Sequence, residues 1–176
     1  PSVTNNVNVA AASLNYTGST VTPATNGNRF GGTNWAVGAL STTKYIQFTV
    51  TPNSGFTFTP TSLSFLWDFS GTGPASVALR SSADNYAADL GTLTAMTAST
   101  SIFKTITIAG LTTVSTPITF RLYGYAATAI GGTGGFDTAT NQNNIVLYGT
   151  SAPLTGTTAA VLSGTNSICD GDSAAI

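Results

Sequence analysis

Residues 63–84 read LSFLWDFSGTGPASVALRSSAD. Two segments of this stretch alternate in polarity, and the turn Gly71-Thr72-Gly73-Pro74 separates them. In the first, Leu63, Phe65, Trp67 and Phe69 share a face; Ser64, Leu66, Asp68 and Ser70 share the other. In the second, Val77 and Leu79 oppose Ala78 and Arg80. Successive side chains of a strand leave opposite sides of the pleat, so this alternation marks half-buried strands. A Gly/Pro turn between two such segments predicts an antiparallel hairpin. Its apolar set would form one wall of a core.

Upstream, residues 1–22 alternate loosely through Val7, Val9, Leu14, Tyr16 and Val21 and predict one or two strands. TPATNGNRFGGTNW (22–35) is rich in Gly and Asn and predicts a long loop, closed by Trp35 and Val37. KYIQFTV (44–50) predicts a strand with Ile46, Phe48 and Val50 on one face. Thr51-Pro-Asn-Ser-Gly is a turn, and Phe56-Thr-Phe58 opens a short strand that Pro60 ends. Downstream, DNYAADL (84–90) fits either a single helical turn or a loop. Residues 102–109 and ITFRLYGY (118–125) alternate again; Ile118, Phe120 and Leu122 oppose Thr119, Arg121 and Tyr123. A glycine-rich loop, 131–135, leads to a last strand, NIVLY (144–148). No long stretch carries helical periodicity. Short strands at this spacing predict an all-β fold, an antiparallel β-sandwich or jelly roll, over residues 1–150. Residues 151–160 read as a small-residue linker. Residues 161–176 read as the first strand of a following domain or as an exchanged strand.

The chain has 176 residues, enough for one well-cored domain, and 41% are hydrophobic. Only 6% are charged, with no His and no Glu, against about 25% charged in ordinary soluble domains. A neutral surface of Thr, Ser and Asn is common on secreted β proteins. The five basic residues are scattered singly at Arg29, Lys44, Arg80, Lys104 and Arg121, so the clustered footprint that nucleic acid requires is missing. The longest apolar runs fall far short of a membrane span, which argues against membrane insertion. No signal peptide is visible, and a chain opening on Pro1 implies processing or trimming. Cys169 is the single cysteine, so no disulfide forms within the chain.

The stretches from Tyr45 to Val50, SGTGPxxxALRSSxD at 70–84, TFRLYGYAA at 119–127 and NIVLYG at 144–149 together resemble bacterial secreted β-sandwich modules of large surface proteins. The likeness covers residues 40–149. The tail SGTNSICDGDSAAI resembles the start of an immunoglobulin-like repeat of Bacteroidetes adhesins. The resemblance implies export, an extracellular or cell-surface setting, and a Cys169 partner later in the same repeat. It also bears on Asp137-Thr-Ala and Asp172-Ser-Ala, which look like the O-glycan attachment pattern of those bacteria, with Thr138 and Ser173 as acceptors. Asn15-Tyr-Thr fits an N-glycan sequon.

Several side chains are candidates for chemistry. Nucleophilic catalysis needs a base beside Ser, Thr or Cys, usually His, and there is none. Glycoside hydrolysis needs two carboxylates across a sugar. Residues 1–150 offer Asp68, Asp84, Asp89 and Asp137. Asp68 and Arg80 would instead make a cross-strand ion pair, which Arg121 joins. Without His, a metal would be held by oxygen, and calcium fits Asp137 with Asn141 and Asn143; Asp170 and Asp172 are a weaker set. The alternative role of these Asn and Asp side chains is in turns. Sugars stack on aromatic faces and hydrogen-bond to amides and guanidiniums. Trp35, Asn34, Arg29, Tyr86, Tyr123 and Tyr125 are the candidates, or else Trp35 plugs one end of the sandwich and the tyrosines cover a sheet. Leu162, Ile168 and Cys169 mark the tail that would add to a neighbouring sheet edge. The expectation is a non-catalytic structural or adhesion module of a larger surface protein or filament. It would need no cofactor, and its partners would be neighbouring domains or subunits, or glycans. The alternative is a carbohydrate-binding module of a secreted enzyme.

Overall fold

The computed structural model of the chain describes residues 5–24, 29–100, 102–138 and 145–155. The strands are β1 (Val9–Ala11), β2 (Thr22–Ala24), β3 (Phe30–Thr33), β4 (Tyr45–Pro52), β5 (Phe56–Phe69) and β6 (Ser76–Ser81). They continue with β7 (Gly91–Leu93), β8 (Ile102–Thr107), β9 (Ile118–Tyr125), β10 (Gly134–Phe136) and β11 (Ile145–Pro153). They form two antiparallel sheets packed face to face, an all-β sandwich. The first sheet runs β1-β4-β9-β6-β7. In the second, β10, β3 and β2 extend from one edge of β5; β11 pairs with the remainder of that edge and β8 with the opposite edge.

The core follows from the alternation. Phe65, Trp67, Leu79 and Phe120, two from each sheet, are all at most 1% exposed. Phe65, Trp67 and Phe136 meet edge to face, and Phe48 stacks on Phe120 across β4 and β9 at 5.4 Å. Burying each such side chain stabilises the fold by roughly 1.5–3 kcal/mol.

The expected hairpin is not one. β5 and β6 lie in different sheets, so the turn after Phe69 carries the chain across the sandwich. Gly73 and Pro74 are buried there, against Thr133 and Gly134 at the start of β10. Pro60 does not end a strand. It sits inside the fourteen-residue β5, where the β11 register shifts between Tyr148 and Gly149. A residue without an N–H is tolerated where the ladder is already interrupted. The glycine-rich stretches expected as loops contain strands: β2 pairs with β3, and β3 with β10, through glycines that bring backbones together. Residues 84–90 are a loop: a 3₁₀ turn, Ser82–Asp84, ends where the stretch begins, and Asn85 and Tyr86 follow in the left-handed region. β11 runs to Pro153, three residues into the stretch read as linker.

Candidate functional site

The outer face of the first sheet carries its polar side chains in rows set by strand register. Gln47 of β4, Arg121 of β9 and Arg80 of β6 are directly opposed. Asn15 bridges to Gln47 at one end, and Asp89 pairs with Arg80 at the other, at 2.5 Å. Hydrogen bonds run along the row. Gln47 Nε2 donates to Asn15 Oδ1 at 3.1 Å, and Arg121 Nε donates to Gln47 Oε1 at 3.1 Å.

An aromatic row lies alongside. Tyr45 and Tyr123 face each other across β4 and β9, ring centroids 5.4 Å apart. Arg121 lies between two rings, 4.1 Å from the Tyr45 centroid and 3.7 Å from that of Tyr86. Arg80 approaches Tyr123 at 5.4 Å. Burial raises the Tyr123 phenol above its ordinary pKa, against the opposing pull of Arg121 and Arg80. Tyr86 comes from the connection between β6 and β7. Its amide donates to Ser81 O at 2.8 Å, Arg80 Nη1 donates to its carbonyl at 3.1 Å, and Asp84 accepts from the Ala87 and Ala88 amides.

The sequence-based candidates therefore divide. Tyr86, Tyr123 and Tyr125 share this face with Arg80 and Arg121, though Tyr123 is buried. Trp35 is 0% exposed and offers no ring to a sugar. Its Nε1 donates to Gly32 O and Gly134 O, and its ring packs on Gly124. Asn34 is a strut: Lys44 Nζ donates to its carbonyl and to its Oδ1, and its Nδ2 donates to Thr20 O. The expected Asp68–Arg80 ion pair does not form, because the two residues belong to different sheets. Asp68, 3% exposed, pairs with Arg29, whose Nε also lies 3.5 Å from Asp137. Arg121 joins Arg80, not Asp68.

Asp137 is thus beside a guanidinium; Asn141 and Asn143, its expected calcium co-ligands, lie outside the described residues. Among the described residues no group of three or more His, Cys, Asp or Glu is gathered. Thr138 is exposed, and its amide donates to Asp137 Oδ1 at 2.8 Å. Ser173, Asp170, Asp172 and the tail residues Leu162, Ile168 and Cys169 lie outside the described residues. No helix among the described residues is long and apolar enough to cross a membrane.

Tyr45 and Gln47 are members of the site that the sequence reading missed. The signal was present: in KYIQFTV they alternate with Ile46, Phe48 and Val50 and so share an outer face with Arg121. No protein-family model matches the chain, and no curated protein and no solved structure is significantly similar to it.

Proposed function

We propose that this chain is a non-catalytic structural module of a larger exported surface protein. The observation that supports the reading is how its charged side chains are used. Arg29 ties Asp68 and Asp137 together, Arg80 holds Asp89 and the Tyr86 carbonyl, and Lys44 braces Asn34. Each of these three cations stiffens a connection on a sandwich whose core is sealed by aromatic rings. A unit of this kind transmits force between neighbouring domains and presents its loops. Limited protease treatment of unbroken source cells tests the reading. Peptides of this chain should be released, within a longer protein, before any cytosolic marker appears. Recovery of the chain only after lysis would overturn it.

A second reading, a carbohydrate-binding module, draws support from one feature. Tyr86 and Tyr125, both partly exposed, share a sheet face with two guanidiniums.

A further inference from the structure

We propose that the outer face formed by β4, β9 and β6 binds an acidic polysaccharide, a polyuronate whose sugar carboxylate is received by Arg121 and Arg80 while its ring lies on Tyr86. The inference goes beyond a structural role and rests on the carbohydrate-binding reading.

The first observation is a guanidinium, Arg121, that the register sets beside another and that no ion pair among the described residues includes. Arg80 and Arg121 are directly opposed on neighbouring strands. Like charges in that position repel, so a fold keeps them only with compensation. Asp89 compensates Arg80. Arg121 takes part in none of the ion pairs among the described residues. Its charge is held between the Tyr45 and Tyr86 rings, and its Nε–H is committed to Gln47. In the plane between the rings the guanidinium also meets the Tyr123 hydroxyl, and the edge of a stacked guanidinium is the geometry that receives a planar carboxylate.

The second observation is backbone strain at the aromatic residue. Asn85 and Tyr86 adopt φ of 58° and 62° in succession, and neither is glycine. A bulky residue there is an outlier, and such outliers persist where the surroundings impose them. Here the imposing contacts are the Arg80 bond to the Tyr86 carbonyl and the Asp84 carboxylate on the two amides that follow. They bring one face of the Tyr86 ring onto Arg121, while the residue stays partly exposed.

The third observation is the setting. Thr49 and Thr119 share a hydroxyl contact of 2.8 Å one row away, Asn15 ends the polar row, and Tyr125 extends the aromatic one. Hydroxyl and amide groups beside a ring and a guanidinium match a sugar that bears both hydroxyls and a carboxylate.

Isothermal titration calorimetry of the full chain tests the proposal, with oligogalacturonate, a neutral dextran oligosaccharide and oligoglutamate as probes. Oligogalacturonate should bind, weakened about tenfold or more by Arg121→Gln and by Tyr86→Ala. Lys104→Gln, on β8 of the other sheet, should bind like the wild type. Thermal melts identify any unfolded variant; should Arg121→Gln unfold, Tyr86→Ala decides. Unchanged binding by a folded Tyr86→Ala, loss in Lys104→Gln, or equal binding of oligoglutamate would overturn the proposal. Binding of dextran without oligogalacturonate would leave carbohydrate binding standing and remove the acidic specificity. Binding of none would remove both.

Discussion

Tyr16 stacks on Phe30 with ring centroids 4.7 Å apart, and its hydroxyl donates to Gly31 O at 2.8 Å. Burial raises its pKa from 10.0 to about 12. The folded state therefore keeps a proton that the unfolded chain releases first. The stabilisation is fully present below pH 10 and is lost as pH climbs toward about 12. Melting curves across this range should fall more steeply for the wild type than for Tyr16→Phe, and parallel curves would refute the account. Near neutral pH the same variant should lose about 1 kcal/mol, for one hydrogen bond. Asp68 makes a second case. Its carboxylate is buried and Arg29 is its ionic partner, at 27% side-chain exposure. Arg29→Met strands that charge. Because water reaches Arg29, the loss should be about 1–3 kcal/mol, below the range for fully buried pairs. Adding Asp68→Asn should recover part of it in denaturant titrations; a neutral Arg29→Met would show that the pair holds nothing.

Between the strands, the turn after β5 distinguishes two glycines that look alike in sequence. A Cβ on Gly73 would lie 2.1 Å from Thr133 O, a backbone atom that cannot swing away; a Cβ on Gly71 meets nothing within 4 Å. Gly73→Ala should cost about 2 kcal/mol, while Gly71→Ala should stay within about 0.5 kcal/mol of the wild type, as chemical denaturation would report. The pair also shows what was legible beforehand. β4 and β9 could be read because each has one core face, so Ile46, Phe48, Ile118 and Phe120 declare it by alternation. β3 and β10 could not. FGGT and GGF pair largely through bare backbone, and a Cβ on Gly135 would lie 2.3 Å from Gly31 Cα, a closeness that composition reports only as a loop. Gly71-Thr-Gly-Pro announces a reversal but not which sheet receives the returning strand. That ambiguity also misassigned Asp68 and Arg80, since a cross-strand pair can be predicted only once neighbours are known. Tyr86, Tyr123 and Tyr125 were legible as an aromatic set; their alignment with Gln47, Arg121 and Arg80 depends on a strand order that alternation does not encode.

One indole joins the two layers of the molecule. Trp35 lies in the connection between β3 of one sheet and β4 of the other. It donates to Gly32 O at 2.8 Å and to Gly134 O at 3.2 Å in the second sheet, and rests on Gly124 of β9 in the first. Trp67 meets it edge to face, with centroids 5.7 Å apart. Both indoles are buried between the layers, so neither can reach water until the layers part. If each sheet depends on the other for its apolar face, parting and loss of strand structure are one event. In a guanidinium titration the red shift of tryptophan emission and the loss of far-ultraviolet dichroism should then share a midpoint and a slope. Gly124→Ala perturbs the joint itself: the added Cβ would sit 2.6 Å from Trp35 Cε3, and the ring is hemmed in on its other sides. Overpacking of this kind costs about 1–3 kcal/mol. Both probes should move to lower denaturant together in that variant. An emission transition that precedes the dichroism, in either protein, would mean that the sheets persist after separating and that Trp35 does not couple them.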